Sequence, residues 1–337
     1  MKTKIISLLL FSLLFISCEK MILKEQPSEN PTEVFNYLWN DLNERYSYFE
    51  YKNINWDNIK IKYQSQINDN MSENQLFEVL FDMLCELRDG HVNLISPFNI
   101  SRYEFYLQGQ NNYNERLIRE NYITEDYYVT GPFINDKIIN HNIGYIRYDS
   151  FMNTVSHYSI DYMIARFQNM DGLILDIRQN GGGSVTNIFT ILSHFVDENT
   201  AIYQSHIKNG PEPDDFSDFQ IAYAEPDGQY SWTKKPLVVL VDRGSFSASS
   251  FFALATKAIP NITLIGDYTG GGLGAPTAAQ LPNGWTYRFS VSQTLTLSGY
   301  NYENGVPPDI YCTLTESNVS NGKDDIIETA IQLIENQ

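Results

Sequence analysis

The sequence predicts an α/β fold with a largely parallel sheet, preceded by a small helical N-terminal domain. Two observations carry this. Segments 172–177 and 237–241 are almost continuously apolar, as strands covered on both faces are, and each is followed by a helical stretch, 186–195 and 248–258. Upstream, apolar residues recur at three- and four-residue steps between 32 and 87, the spacing of one helix face.

In order along the chain, Phe35, Leu38, Trp39, Leu42 and Tyr46 form the first apolar stripe, and Pro31 marks a helix start. A second stripe runs through Leu76, Val79, Leu80, Met83, Leu84 and Leu87. Ser72, with Gln75 three residues later, reads as its capping box. Arg88-Asp89-Gly90 closes that helix, with Gly90 as the expected stop. Residues 91–95 read as a short strand, and 97–140, rich in Tyr and Asn, as an irregular or strand-rich lead-in. Strands then follow at 144–148, 172–177, 237–241 and 262–265, alternating with helices at 158–167, 186–195 and 248–258. No internal repeat or low-complexity segment occurs. The expected division is 1–17 signal peptide, 18–31 tether, 32–90 helical domain and 91–337 α/β core, with 91–140 as the lead-in.

The chain of 337 residues has 42% hydrophobic and 19% charged residues, a globular composition. Its 41 acidic side chains against 23 basic ones leave a net charge of −18, so it lacks the basic footprint that binds nucleic acid. The three cysteines (Cys18, Cys85, Cys312) exclude a disulfide scaffold. Cys85 lies in an apolar helical pattern and is expected as a buried free thiol, although a Cys85–Cys312 pair stays open. The five histidines are scattered, without a His-x-x-x-His pair, so neither a metal site nor a cofactor is expected.

Residues 1–17 have the build of an export signal: Lys2 and Lys4, then an apolar run from Ile5 to Ile16 too short to span a bilayer comfortably. The run ends in Phe15-Ile16-Ser17-Cys18, which resembles a bacterial lipoprotein signal whose cysteine becomes lipidated. That implies a cell-envelope protein, on the periplasmic or surface face, held to its membrane by acyl chains on Cys18 and not by charge.

Three loops have the composition for chemistry. In Asp176-Ile177-Arg178-Gln179-Asn180-Gly181-Gly182-Gly183-Ser184, a strand passes through three glycines into a helix, which suits an oxyanion or phosphate cradle, or simply a tight turn. Asp242-Arg243-Gly244-Ser245-Phe246-Ser247-Ala248-Ser249-Ser250 places serines at a strand-to-helix turn, for capping or for a nucleophile. The third, around Glu303-Asn304-Gly305-Val306-Pro307-Pro308-Asp309, is on its own an ordinary polar turn.

Taken with Leu87-Arg88-Asp89-Gly90-His91-Val92, Ile143-Gly144-Tyr145-Ile146 and Gly266-Asp267-Tyr268-Thr269-Gly270-Gly271-Gly272, these loops resemble, in order, the C-terminal processing (tail-specific) serine peptidases, the family that includes the tricorn protease core. The resemblance covers about 32–310. It implies a ClpP/crotonase-like core and hydrolysis of peptide bonds in protein or peptide substrates. The family nucleophile falls on Ser247. One branch activates its serine with a lysine in a Gly-Lys-Gly loop; here Gly272 stands at that place, and Lys257 and Lys323 do not fit it. The chain is more similar to the tricorn branch, which implies His91 as base and Glu303 as its partner. Tricorn has a serine where this chain has Gly90, which leaves the link between Glu303 and His91 open. The oxyanion donors so implied are the backbone N–H groups of Ala248 and Gly182. The interval from Leu94 to Ile143 is too short for a complete PDZ domain. Two function classes follow: an exported, lipid-anchored serine endopeptidase, or a non-catalytic ligand- or peptide-binding lipoprotein on the same scaffold. The sequence specifies no oligomeric state.

Overall fold

The structure is a computed structural model that describes residues 29–104 and 108–337. The expected signal peptide, Cys18 and most of the tether fall outside the described residues.

Thirteen strands occur among the described residues. They are β1 (Asn93–Ile95), β2 (Tyr128–Thr130), β3 (Phe133–Lys137), β4 (Ile143–Tyr148), β5 (Gly172–Asp176), β6 (Thr200–Ile207), β7 (Gln220–Ala224), β8 (Leu237–Val241), β9 (Ile262–Gly266), β10 (Pro276–Gln280), β11 (Thr286–Ser290), β12 (Ser292–Leu295) and β13 (Ile310–Tyr311). The central sheet has the order β13-β9-β8-β5-β4-β3-β2. From β4 to β13 all its pairs are parallel, and β2 and β3 add an antiparallel edge. Every residue of β5 and β8 is buried, as their unbroken apolar sequences require.

One face of the sheet is covered by helices His157–Phe167, Thr186–Leu192 and Ala248–Thr256, whose apolar residues join Leu173, Leu175, Val239 and Val241 in one core. The other face is covered by helix Asp325–Glu335, whose Ile326, Ile327, Ala330, Ile331 and Ile334 pack on Ile174, Val238, Leu240 and Ile265. Each such buried branched side chain contributes roughly 1.5–3 kcal/mol of transfer free energy. Gly172 lets that helix approach, since a Cβ there would lie 2.6 Å from Ile334.

The N-terminal helices form where the sequence marks them. Asn30 caps helix Pro31–Arg45 by accepting from the Glu33 N–H, and Ser72 and Gln75 form the reciprocal capping box of helix Glu73–Cys85. The helical block nevertheless does not close on itself. Its core of Phe35, Leu38, Leu42, Phe77 and Leu80 continues into Leu281, Trp285, Tyr287 and Phe289, from and beside the sheet β1-β11-β10. The early helices and a late hairpin therefore share one core, and residue 90 is no boundary in it.

The helix stop also differs from expectation. Arg88, at φ 50°, adopts the left-handed conformation, while Gly90 has no positive φ. Reciprocal bonds hold this strained arginine: Lys52 Nζ donates to the Arg88 carbonyl at 2.8 Å, and Arg88 Nη2 donates to the Lys52 carbonyl. Cys85 and Cys312 are both free and half-buried, and burial pushes the Cys85 thiol up to about 11.

Candidate active site

Three backbone features meet at the C-terminal end of β8. The chain leaves Val241 through a tight loop and enters helix Ala248–Thr256, with Ser247 between them at φ 56°, ψ −122°. Few non-glycine residues adopt that conformation, and its cost persists only where the surroundings impose it. Here the Ser247 N–H donates to the Gly271 carbonyl at 3.0 Å, and the Phe246 N–H to the Asn180 carbonyl at 3.0 Å. Both sides of the turn are thereby tied to neighbouring loops, and the Ser247 side chain is turned out of the helix start.

The other serines of this segment serve the backbone. Ser245 Oγ donates to the Ile177 carbonyl (2.8 Å), Ser249 Oγ to that of Asn180 (2.7 Å) and Ser250 Oγ to that of Ser245 (3.0 Å). Ser247 makes no side-chain cap. Its Oγ lies 2.9 Å from His91 Nε2. An imidazole from the helical block and a hydroxyl from the sheet tip are thus within proton-transfer distance, although 156 residues separate them.

His91 is 2% exposed, and its ring lies against that of Phe246, centroids 4.9 Å apart. Burial pushes the imidazole down to about 4, the Asp89 carboxylate opposing that shift and Arg288 reinforcing it. The ring is therefore neutral at pH 7 and able to accept a proton at Nε2. Its Nδ1 makes no hydrogen bond of good geometry, but the nearby Gly274 backbone favours the protonated ring.

Asp89 sits beneath the histidine. Its Oδ1 accepts the His91 backbone N–H at 2.8 Å, and its Oδ2 accepts Tyr46 Oη (3.1 Å) and Ser290 Oγ (2.9 Å). Although Asp89 is buried, Lys52 and His91 hold its carboxyl below the usual range. Sequence reasoning quoted Asp89 only as part of a motif and did not single out Lys52 at all. The Asp-x-His spacing was a signal for the first; nothing near Lys52 in the sequence announced the second.

Glu303 is placed in the same cluster but does not bind the histidine ring. Its Oε2 accepts the Leu273 N–H at 2.6 Å, and its Oε1 lies 3.6 Å from Lys52 Nζ. The link to His91 that the sequence leaves open is therefore not a direct bond, because both carboxylate oxygens face other partners. Burial and the nearby Asp89 charge push Glu303 up to about 7, with Lys52 opposing. The Glu303 carbonyl also accepts the Gly272 N–H at 3.0 Å, so this residue clamps the 271–273 loop to which the Ser247 N–H is bonded.

The two expected oxyanion donors fare differently. The Ala248 N–H, first in its helix, has no hydrogen bond among the described residues, and the helix N-terminus favours negative charge there. Gly182 does reach the turn, since a Cβ on it would lie 2.8 Å from Ser247 Cβ and 2.9 Å from the Ala248 nitrogen. Its N–H, however, already donates to Asn180 Oδ1 at 3.0 Å. Gly182 thus provides room at the site while its donor is occupied. Gly272, at φ 75°, provides room in the same way: a Cβ there would lie 2.4 Å from the Phe246 ring and 3.1 Å from His91 Cε1.

The loop base is tied by buried ion pairs. Arg178, fully buried, meets Asp176 at 2.6 Å and Asp324 at 2.9 Å, and accepts Arg147 Nη1 at its carbonyl. No group of three or more His, Cys, Asp or Glu side chains is placed to hold a metal among the described residues.

Residues 142–312 match the model of peptidase family S41, and residues 27–85 that of the tricorn protease C1 domain. A putative peptidase from Parabacteroides merdae is 35% identical, with a TM-score of 0.86 over 91% of this chain and 97% of that one. The carboxy-terminal processing protease CtpA of Bacillus subtilis is 30% identical over 179 residues, 52% of this chain and 36% of its own length. The chain thus spans about a third of that curated relative. The tricorn protease is alike in fold alone, at 16% identity and a TM-score of 0.53 over 91% of this chain and 37% of that one.

Proposed function

We propose that this chain, which belongs to peptidase family S41, is a serine endopeptidase in which Ser247 is the nucleophile and His91 its base. The observation that carries the reading is the 2.9 Å approach of Nε2 to an uncapped Oγ on a strained strand-to-helix turn.

A serine hydroxyl is a poor nucleophile at neutral pH until a base takes its proton. In the proposed cycle Oγ forms a bond to the scissile carbonyl carbon while its proton passes to His91 Nε2. The Ala248 N–H stabilises the resulting oxyanion; one such donor is typically worth about 3–4 kcal/mol. Collapse breaks the C–N bond, and the imidazolium returns the proton to the leaving amine. Water then repeats the sequence on the acyl-enzyme, releasing the second product.

Asp89 acts on His91 as a positioning residue, fixing its backbone and favouring the imidazolium that forms. Glu303 positions the loop behind Ser247. Gly182 joins the oxyanion site through its missing side chain; its N–H becomes a second donor only if it leaves Asn180. A side chain at 272 would collide with Phe246, which favours histidine over a lysine from that loop as base.

The leader and Cys18 support export and lipid anchoring at the cell envelope, so the substrate is a protein or peptide met outside the cytoplasm. A Cys18→Ala variant is expected to leave the membrane fraction.

The deciding test is labelling by a fluorophosphonate probe. Wild type is expected to be labelled and Ser247→Ala not. Labelling that persists in the variant would reject Ser247, and no labelling of either would favour a binding protein.

A further inference from the structure

β7 lies at the edge of the antiparallel sheet β12-β6-β7 and is paired on its β6 side alone. Alternate backbone N–H and C=O groups therefore face outwards, and none of them bonds another segment among the described residues. An open edge is ordinarily blunted by charge or proline. Residues 219–224, Phe-Gln-Ile-Ala-Tyr-Ala, contain neither. Ala222 and Ala224 turn to the core, whereas Phe219, Ile221 and Tyr223, at alternate positions on the opposite face, are 46%, 49% and 43% exposed. The Phe219 ring is held on that face by stacking on His206, with centroids 4.2 Å apart.

The chemistry changes at both ends of this run. Asp218 precedes it, and Glu225 and Asp227 follow. Among the described residues neither Asp218 nor Glu225 forms an ion pair, and Asp227 approaches only His157, at 3.6 Å. Beyond Tyr223 a cavity of about 450 Å³ opens between β7 and helix Thr186–Leu192. It is lined by Glu225 and Asp227, by the Tyr223 and Phe189 rings and by His157, with no lysine or arginine. Carboxylates beside aromatic rings suit a guanidinium or ammonium group. A second copy of the chain is a poor occupant. Antiparallel pairing of two β7 strands about an axis between Ile221 and Ala222 sets Asp218 of each copy opposite Glu225 of the other, in chains that both carry −18.

We infer that β7 is a docking edge for an extended, basic-flanked segment of a partner protein. The segment adds as a further strand whose backbone completes the ladder and whose apolar side chains cover Phe219, Ile221 and Tyr223. A Lys or Arg at one flank meets Asp218, and one at the other enters the cavity beside Glu225 and Asp227. The inference goes beyond the peptidase reading and does not rest on it.

The test uses the full chain carrying Ser247→Ala, which removes the proposed nucleophile, and a fluorescent peptide of alternating Val and Thr with Arg-Lys before the run and Lys-Arg after it. Binding is followed by anisotropy. The same peptide with Glu in place of the cations is expected to bind about tenfold more weakly. Of two versions N-methylated at the odd or the even positions of the run, one is expected to lose about tenfold and the other little, since only one edge of the peptide faces β7. Ile221→Lys is expected to weaken binding about tenfold by placing a charge on the edge. Asp218→Lys combined with Glu225→Lys is expected to reverse the flank preference, a gain that a misfolded protein would not show. Absence of binding, equal affinity for basic and acidic flanks, no difference between the two N-methylated versions, or a flank preference unchanged in the double variant overturns the proposal. So does sedimentation showing a dimer that Ile221→Lys dissolves, which would give the edge to a second copy. The peptidase reading stands or falls separately, on the fluorophosphonate label.

Discussion

Asp89 supports His91 from the main chain: its carboxylate accepts the histidine's backbone N–H at 2.8 Å, and its other oxygen is held by Tyr46 and Ser290. The histidine is thereby placed by a charge that does not bind its ring. Asp89→Asn keeps much of the shape but removes the charge that favours the imidazolium. The acid limb of kcat/KM is expected to move to lower pH, and kcat to fall by about tenfold or more, because a less basic imidazole takes the hydroxyl proton less readily. A pH–rate profile on a cleaved peptide checks both.

Stability against pH separates His91 from Glu303. His91, depressed to about 4, binds more protons unfolded than folded between there and its ordinary value, so stability rises with pH through that window. Glu303, raised to about 7, binds more protons folded, so its effect has the opposite sign and stability falls as pH rises towards 7. Each full effect is on the order of 3 kcal/mol. Where the windows overlap the two slopes oppose each other. Glu303→Gln is expected to leave a rising thermal midpoint between pH 4.5 and 6.5, and His91→Asn a falling one. Equal profiles for the two variants would sink this account.

Gly272→Ala tests the space beside the histidine. Its Cβ would meet the Phe246 ring at 2.4 Å, at a φ of 75° that alanine rarely adopts. A loss of about 1–3 kcal/mol is expected in chemical denaturation. Gly272→Lys is expected not to restore labelling to a His91→Ala protein, since the new side chain starts from the same collision.

Lys52→Met removes a buried cation that both Glu303 and Asp89 feel. It also leaves the Arg88 carbonyl without its donor. Unfolding free energy is expected to drop by about 1–3 kcal/mol at pH 7, as for other buried polar groups left unpaired. The drop should shrink at pH 5, where Glu303 is protonated and no longer needs the cation.

Local signals in the sequence were sufficient for the central parallel strands and the N-terminal helices. Unbroken apolar runs marked β5 and β8, three- to four-residue periodicity marked the N-terminal helices, and Ser72 with Gln75 marked a cap. Helix Asp325–Glu335 and the strands β10 to β12 were not singled out, although that helix has a regular apolar stripe. Within the site, Ser247 and His91 were legible because family motifs surround them. The hydrogen bonds of Glu303 and Gly182 were not, because each depends on a partner distant in sequence or on how one N–H is turned.

By itself, then, the sequence determined the α/β class, the two motif-bearing loops that meet at Ser247, and the acidic surface, all of which follow from residue type and short-range spacing. Only the tertiary structure decided that the N-terminal helices share a core with β11, that Lys52 lies by Glu303, and that Asp89 serves the backbone of His91 and not its ring. Those relationships join residues through packing across the whole chain. A buried charge acquires its partners, and so its proton affinity, only when folding removes water and brings those residues together.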